Sequence, residues 1–215
     1  MEKIKSIIFD LGNVVLPIVK CNVYEAIQKA SKIPGLEHIL KNGINTNMSP
    51  QGQDLITRYE KGISTVQFWN SMAKQLKEPS LKDKNLIEKI EEIWCSTFQK
   101  IDEHMLELIN NLKNKYNLVI LSNIIAPHKD YILKNYSLND LFDYIFLSCD
   151  LGMKKPEKEI FEFVLSKINA KPYEAIFIDD KEENIKTAKE LGINAFLFSS
   201  VNDLKNKLIK FNIYV

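Results

Sequence analysis

Short apolar runs recur along the chain and predict five β-strands. They lie at residues 7–9, 118–121, 144–147, 175–178 and 195–198. The run from Ala175 to Ile178 contains no polar residue, which is typical of a strand covered by helices on both faces. We therefore predict a sheet whose strands are buried on both sides.

Segments with the spacing of amphipathic helices follow these runs. They lie at residues 101–114, 127–135, 156–168, 184–191 and 201–210. The first leads into the second strand, and the others follow the later strands in turn. Strands that alternate with helices in this way predict a parallel sheet in an α/β domain.

About a hundred residues separate the first two predicted strands, far more than an ordinary crossover needs. This stretch contains helical patterns at 23–31, 64–76 and 86–98, with helix breakers predicted at 34–35, 42–43, 49–52 and 78–79. We expect a helical insertion here. The predicted domains are an α/β core of residues 1–16 and 98–215 and a helical cap of residues 17–97.

Charge and composition narrow the function classes. The chain has 215 residues, 45% of them hydrophobic, and 29 basic residues against 28 acidic ones give a net charge of +1. This balance gives no basic excess for nucleic acid, so we expect no nucleic-acid partner. Arg58 is the only arginine, so any phosphate binding should depend largely on lysine and on backbone N–H groups rather than on bidentate guanidinium groups.

Two further patterns bear on the cellular setting. No segment approaches the ~18 uninterrupted apolar residues that a membrane helix requires, and the N-terminal residues do not form a signal peptide because Asp10 interrupts the apolar run. Cys21, Cys95 and Cys149 are far apart and form no CxxC pair, so we predict buried thiols rather than disulfides. We expect a cytoplasmic protein without a membrane partner.

Polar residues follow four of the predicted strands. The clusters are Asp10-Leu11-Gly12-Asn13, Ser122-Asn123, Lys154-Lys155-Pro156 and Asp179-Asp180. The carboxyl ends of parallel strands line one ligand crevice, so all four clusters should meet there. With the first strand in the centre, Asp10 and Asp180 would face each other across this crevice. Two such carboxylates repel unless a cation lies between them, which predicts a Mg²⁺ site.

Each cluster also has a purely structural interpretation. Asp10 suits a turn, Asp179-Asp180 and Ser122-Asn123 suit helix caps, and Lys154-Lys155 suits an exposed surface. Their joint occurrence, in this order and each at or soon after a strand end, favours a functional site.

The same four motifs resemble those of the haloacid dehalogenase-like (HAD) superfamily. They read Phe9-Asp10-Leu11-Gly12-Asn13-Val14, Leu121-Ser122-Asn123, Gly152-Met153-Lys154-Lys155-Pro156-Glu157 and Phe177-Ile178-Asp179-Asp180. With a helical insert after the first motif, the chain is similar to the helical-cap phosphatases. Within these it resembles the bacterial alpha-D-glucose-1-phosphate phosphatases and the N-terminal phosphatase domain of soluble epoxide hydrolases. The resemblance implies a three-layer Rossmann-like parallel sheet of order 3-2-1-4-5.

Residue roles follow from this resemblance. It implies that Asp10 is the nucleophile and forms an aspartyl-phosphate that water hydrolyses. Lys155 would neutralise the nucleophile and the phosphoryl group, while Ser122 and Asn123 would hold phosphate oxygens. The implied cofactor is Mg²⁺, held by Asp10, Asp180, the Gly12 carbonyl and Asp179, the last directly or through water. The implied substrate is a small phosphorylated metabolite, such as the sugar phosphate glucose 1-phosphate.

Two positions depart from the family pattern. Most phosphatases of the superfamily have a second aspartate where this chain has Gly12, and general acid–base help is typically worth ~10²–10⁴-fold. Asp150 and Glu60 are candidates for a substitute acid. Asn184 stands where many relatives have a carboxylate, and we expect it to hold Asp179 or a metal-bound water.

Other interpretations remain open at this point. A haloacid dehalogenase would use Asp10 without a metal, and a weakly active relative would bind a phosphorylated metabolite or a protein as a regulator. His38, His104 and His128 favour surface or core positions, although His128 could face the site. Trp69 and Trp94 are expected to be packing anchors, and Arg58 or Lys61 could reach substrate hydroxyls. The sequence is compatible with a monomer or a homodimer.

Overall fold

The computed structural model describes residues 3–19, 22–42 and 50–214. Five strands form one parallel sheet in the order β3-β2-β1-β4-β5. The strands are β1 (Ser6–Phe9), β2 (Asn117–Ser122), β3 (Tyr144–Leu147), β4 (Ala175–Asp179) and β5 (Asn194–Leu197). This confirms the predicted parallel sheet and its strand order.

The helices divide into an inserted group and a group around the sheet. The inserted group contains α1 (Val23–Ser31), α2 (Leu36–Asn42), α3 (Pro50–Glu60), α4 (Thr65–Leu76) and α5 (Lys84–Cys95). The second group contains α6 (Glu103–Lys113), α7 (Ala126–Asn135), α8 (Leu138–Leu141), α9 (Ser148–Leu151), α10 (Lys158–Lys167), α11 (Glu182–Glu190) and α12 (Val201–Ile209). Short 3₁₀ turns cover Pro79–Lys82 and Pro172–Glu174.

Side chains alternate between the two faces of the sheet and create three layers. Ile7 and Phe9 of β1 pack in one buried cluster with residues of α6 and α12. Ile8, which points to the opposite face, packs in a second cluster with residues of α10 and α11. Because successive side chains of a strand face opposite sides, an entirely apolar strand serves both clusters.

Prediction and structure differ mainly within the insertion. Residues 50–52 were expected to break a helix, but they form the first turn of α3, where proline is tolerated because its missing N–H has no partner in the helix. The helix Leu36–Asn42 was not predicted, nor were the single-turn helices α8 and α9. Position 43 of the predicted breaker at 42–43, and position 49, lie outside the described residues.

Two antiparallel chain segments connect the insertion to the sheet. Ile18 forms a β-bridge with Phe98, the Val19 N–H donates to the Thr97 carbonyl at 2.9 Å, and the Gln99 N–H donates to the Pro17 carbonyl at 3.0 Å. The chain therefore leaves and re-enters the sheet side by side. The division into a core of 1–16 and 98–215 and a cap of 17–97 stays a prediction.

The inserted helices have a hydrophobic core of their own, which includes Phe68, Trp69 and Met72 of α4 and Ile90 of α5. Trp69 thus has the packing role that its helical position predicted. Within the described residues, no helix combines the length and the apolar character needed to cross a membrane.

Glu91 is a partly buried carboxylate within this helical insertion. Its Oε1 accepts hydrogen bonds from Trp69 Nε1 at 2.7 Å and from the Tyr59 hydroxyl at 3.3 Å. Burial raises the pKa of Glu91 above its usual 4.5, and the two hydrogen bonds only partly oppose this shift. A raised pKa in the folded state favours the protonated form, so stability falls as the pH rises through that pKa.

We therefore expect Glu91→Gln, which is neutral at every pH, to gain stability over the wild type as pH rises. The difference in melting temperature between the variant and the wild type should be larger at pH 7.5 than at pH 4, as measured by circular dichroism. Glu92→Gln, a change at an exposed neighbour, is the matched control. A difference that is the same at both pH values would contradict this account of Glu91.

Candidate active site

Asp10 and Asp179 lie at the carboxyl ends of two paired strands. Phe9 of β1 is in register with Ile178 of β4, and the Asp10 N–H continues this ladder to the Ile178 carbonyl at 2.8 Å. The first motif and the Asp179-Asp180 motif are thus brought together by strand pairing, as their positions after apolar runs predicted.

Lys155 lies between these two carboxylates, with only 2% of its surface exposed. Its Nζ donates to Asp10 Oδ1, Asp179 Oδ2 and the Leu121 carbonyl, each at 2.7 Å. Burial would lower the pKa of Lys155, but the two carboxylates raise it above its usual value. The group is therefore a fixed, buried positive charge beside Asp10.

Asn123 holds the main chain that presents this lysine. Its Nδ2 donates to the Lys155 carbonyl at 2.8 Å, and its Oδ1 accepts from the Lys155 N–H at 2.9 Å. A side-chain amide has two N–H donors, and the bond to Lys155 uses one of them. Ser122, at the end of β2, is buried and lines a cavity together with Asn123 and Lys155. The predicted phosphate-binding residues are therefore neighbours of Lys155.

The pKa of the Asp10 carboxyl group is raised above its usual value. Burial raises its pKa to about 6, with further contributions from Asp179 and Asp180, while Lys155 opposes the rise. Three carboxylates with one buried lysine leave an excess of negative charge at this edge of the sheet. Such an arrangement favours the binding of a cation.

Asp179 and Asp180 have different surroundings. Asp179 is fully buried, and in addition to Lys155 it accepts hydrogen bonds from the Lys181 N–H at 2.8 Å and from Asn184 Nδ2 at 2.9 Å. Asp180 Oδ2 accepts from Asn13 Nδ2 at 3.0 Å, whereas its buried Oδ1 has no partner among the described residues. Asp180 therefore has an oxygen to offer to a ligand.

A divalent metal fits this group of side chains. One carboxylate oxygen each from Asp10, Asp179 and Asp180 lies within 4.8 Å of the others. Hard oxygen ligands of this kind suit Mg²⁺. The buried Asp180 Oδ1, which has no hydrogen-bond partner among the described residues, is an oxygen that a metal ion could bind. The three aspartates could therefore hold the cofactor that the sequence predicts.

Gly12 contributes no side chain, and its surroundings leave little space for one. A Cβ at this position would lie 2.8 Å from Ile18 Cδ1. Its neighbour Asn13 adopts a positive φ of 59° and accepts a hydrogen bond from the Ile18 N–H at 3.2 Å. Asn13 thus connects the first motif to Asp180 and to the start of the insertion.

A cavity of about 450 Å³ opens from these residues towards the inserted helices. At its base are Asp10, Ser122, Asn123, Lys155 and Asp180. Its walls include Glu60 of α3, which forms an ion pair with Lys154. Asp150, the other candidate for a substitute acid, instead pairs with Lys129 at 2.7 Å and is not among the residues that line the cavity.

Several residues of this site were not assigned to it from the sequence. Asn13 belongs to the first motif but had no predicted role, and the pairing of Glu60 with Lys154 joins positions 94 residues apart. His128 lies in the cavity wall and therefore faces the site, which was the alternative to a surface or core position. Lys61 pairs with Glu157 at 2.8 Å, and neither Lys61 nor Arg58 is among the cavity residues. The sequence did single out Glu60 as a candidate acid and His128 by its position soon after Asn123.

The described cysteines agree with the predicted buried thiols. Cys95 is buried, Cys149 is partly buried, and both are free. Burial raises the pKa of Cys95 to about 12 and that of Cys149 to about 11, so both stay protonated and are poor nucleophiles at neutral pH. Cys21 lies outside the described residues.

Comparison with known proteins adds independent information. Residues 4–192 match the family model of the haloacid dehalogenase-like hydrolases. The chain is 28% identical over 214 residues to D-ribitol-5-phosphate phosphatase of Bacteroides thetaiotaomicron, which covers 95% of this chain and 97% of that protein. It is 43% identical over 60 residues to bifunctional epoxide hydrolase 2 of Rattus norvegicus, a match spanning 28% of this chain and 11% of that one.

Among solved structures, a HAD family enzyme of Bacteroides thetaiotaomicron in complex with magnesium and inorganic phosphate is similar, with a TM-score of 0.75 and 27% identity. The match covers 91% of this chain and 94% of that one. Fold and sequence therefore point to the same group of proteins.

Proposed function

The chain belongs to the haloacid dehalogenase-like hydrolase family, and on this premise we propose that it is a Mg²⁺-dependent phosphatase of a small phosphorylated metabolite. The observation that carries the proposal is the position of Asp10. Its carboxylate contacts the buried Lys155 ammonium at 2.7 Å and lies within 4.8 Å of oxygens of Asp179 and Asp180. A nucleophile between a fixed cation and a metal site suits attack on a phosphate dianion.

In the proposed reaction, a carboxylate oxygen of Asp10 forms a bond to phosphorus while the bond to the ester oxygen breaks, and this oxygen takes a proton from a general acid or from water and leaves as the alcohol. The aspartyl-phosphate is then hydrolysed by water, which regenerates Asp10 and releases phosphate. The Lys155 ammonium neutralises negative charge on the transferred group, and the Ser122 hydroxyl and the remaining Asn123 N–H position its oxygens.

Asp10, Asp180 and the Gly12 carbonyl would hold Mg²⁺ in this proposal. When bound, the ion neutralises charge on the phosphoryl oxygens. Asp179 accepts hydrogen bonds from Lys155, Lys181 and Asn184, so we assign it the role of orienting Lys155 and contacting the metal through water. Asn184 acts through Asp179, in agreement with the contact expected from the sequence.

The acidic cluster favours a phosphatase over a dehalogenase. Displacement of halide from a carbon atom gives no role to a second and third carboxylate beside Asp10, since these raise the pKa of the nucleophile. For phosphoryl transfer, the same carboxylates supply the ligands for the cation that the reaction requires.

For the substrate, we propose a sugar or sugar-alcohol phosphate. Similarity to D-ribitol-5-phosphate phosphatase along nearly the whole chain supports a sugar-alcohol phosphate, and glucose 1-phosphate is the aldose alternative that the resemblance implied. The inserted helices would act as a cap that covers the substrate and excludes water. Glu60, which lines the cavity beside Lys154, is the better placed of the two candidates for a substitute acid.

The proposal is tested by measuring phosphate release from D-ribitol 5-phosphate, glucose 1-phosphate and p-nitrophenyl phosphate, with Mg²⁺, with EDTA, and with Mg²⁺ restored in excess over EDTA. We expect release with Mg²⁺, loss with EDTA and recovery when Mg²⁺ is restored. Chloroacetate, assayed for chloride, is the control for the dehalogenase. Halide release without metal would replace the proposal by that activity, and no release from any compound would favour a regulatory binding protein.

A further inference from the structure

Part of the cavity has a mainly aromatic lining. We call this surface the distal wall and define it by Tyr24, Ile56, Trp94, Phe98 and His128. Tyr24 comes from α1, Ile56 from α3, Trp94 from α5 and His128 from α7. The insertion thus supplies most of the distal wall, while Asp10, Lys155 and Asp180 supply charged groups to the same cavity.

Ring contacts fix the shape of the distal wall. The His128 ring meets Trp94 edge-on, with centroids 4.9 Å apart, and meets Phe98 in the same way at 5.1 Å. Phe98 also stacks on Tyr131 at 6.3 Å. Such edge-to-face arrangements hold each ring in one orientation, so the wall presents a preformed aromatic surface.

The distal wall carries no charge at neutral pH. Burial lowers the pKa of His128 to about 3, and its buried Nε2 has no hydrogen-bond partner among the described residues. The imidazole is therefore neutral and offers the cavity mainly a ring surface. Glu60 and Lys154, which also line the cavity, form an ion pair with each other.

The apolar surface of this wall is better matched to a ring than to hydroxyl groups. Hydroxyls moved from water to an aromatic surface lose hydrogen bonds without replacement, whereas an apolar group gains from leaving water. The cavity volume of about 450 Å³ lies within the range of ~300–1,000 Å³ that holds drug-sized ligands. Space and chemistry both fit a leaving group with an apolar portion.

We infer that the substrate is the phosphate ester of a sugar alcohol or similar alcohol that also carries an apolar ring, with the phosphate at Asp10 and Lys155 and the ring against the distal wall. This inference rests on the proposed phosphatase function and refines its substrate. A polar linker between phosphate and ring, such as a polyol chain, would pass Glu60 and Lys154.

The first test compares substrates that differ by a ring. Benzyl phosphate and methyl phosphate are esters of similarly basic primary alcohols, and flavin mononucleotide differs from D-ribitol 5-phosphate by its ring system on the same ribityl phosphate chain. We expect kcat/KM for benzyl phosphate to exceed that for methyl phosphate at least about tenfold, as apolar pocket contacts commonly give. We also expect kcat/KM for flavin mononucleotide to exceed that for D-ribitol 5-phosphate. Equal kcat/KM values for benzyl and methyl phosphate would overturn the inference and leave the phosphatase proposal intact.

A second measurement does not depend on turnover. Benzylphosphonate and methylphosphonate are not hydrolysed, and their dissociation constants can be compared by calorimetry with Mg²⁺ present. We expect benzylphosphonate to bind at least about tenfold more tightly. If neither phosphate ester is hydrolysed, this ratio still decides the inference, and equal affinities would overturn it independently of the proposed function.

A variant locates the effect in the distal wall. Ile56→Asn places a polar group in the wall at a partly exposed position, and we expect it to reduce the ratio of the benzyl value to the methyl value several-fold, both for kcat/KM and for phosphonate affinity. Val66→Asn, at a residue of the insertion that is 67% exposed and not among those lining the cavity, is the matched control. An unchanged benzyl preference in Ile56→Asn would show that the ring binds elsewhere and would overturn the assignment.

Discussion

Replacing Asp10 by Asn should lower the rate of phosphate release by about 10³-fold or more while the protein stays folded. The amide cannot form the bond to phosphorus on which the proposed reaction depends, and loss of a covalent nucleophile is among the largest effects of a single substitution. The fold should persist because Lys155 keeps its contacts with Asp179 and the Leu121 carbonyl. The neutral amide also removes the cost of a carboxylate whose pKa burial raises to about 6.

The measurement is phosphate release under saturating Mg²⁺, with circular dichroism to verify the fold. Asp150→Asn is the matched control, because Asp150 is an acidic residue near the site that pairs with Lys129 and is absent from the cavity lining. We expect this control to retain activity within about threefold of the wild type. Normal turnover by the Asp10 variant would remove Asp10 as the nucleophile.

Replacing Lys155 by Met should impair both stability and activity. The methionine has a similar length but no charge, and it would leave Asp10 and Asp179 buried beside each other without their shared cation. Removing one partner from a buried ion pair commonly costs about 3–5 kcal/mol of unfolding free energy. Loss of a preorganised charge at the reacting group commonly costs about 10²–10³-fold in kcat.

Chemical denaturation and phosphate release, measured on the same preparation, test this expectation. Lys158→Met is the control, because Lys158 is an exposed lysine in the same segment whose pair with Glu190 spans 3.2 Å, and exposed pairs typically contribute ~0–1 kcal/mol. If Lys155→Met were as stable as this control, the lysine would not be clamped between the carboxylates as the structure has it. A stable variant with full activity would also remove it from the proposed mechanism.

The sheet could be predicted closely because its signal is local. Strand β3 has the predicted bounds, Tyr144–Leu147. Strand β4, Ala175–Asp179, extends one residue beyond the predicted run. Strands covered on both faces, such as β1 and β4, are apolar at nearly every position, so they stand out from the helices between them. The prediction that all strands are buried on both sides was wrong for β3 and β5, which lie at the edges of the sheet and are partly exposed.

The insertion was predicted less well, because proline and glycine have more than one structural use. The residues from Pro50 to Gly52 suggested a break but begin α3. Proline ends a helix from its interior and starts one at its first position, and single-sequence patterns do not always separate these cases. Tertiary packing against the other inserted helices decides between them.

Part of the site was predictable by the same reasoning as the sheet. Asp10, Ser122 and Asp179 follow or end strands that a parallel sheet places side by side, so their gathering follows from topology. The individual contacts that determine the chemistry of the site do not follow from topology alone. The three 2.7 Å hydrogen bonds of Lys155, the unpaired Asp180 Oδ1 and the link from Asn13 to Asp180 depend on how the loops after the strands fold.

By itself, the sequence determined the α/β class, the presence of a helical insertion after the first strand, and the four motifs whose joint occurrence indicates a HAD-like hydrolase. These properties depend on periodicity and on residues placed next to strand ends, which are local features of the chain. Only the tertiary structure decided which side chains line the cavity. Glu60 meets Lys154, and His128 meets Trp94 and Phe98, because long-range packing brings separate segments into contact, and no local pattern encodes the distances between them.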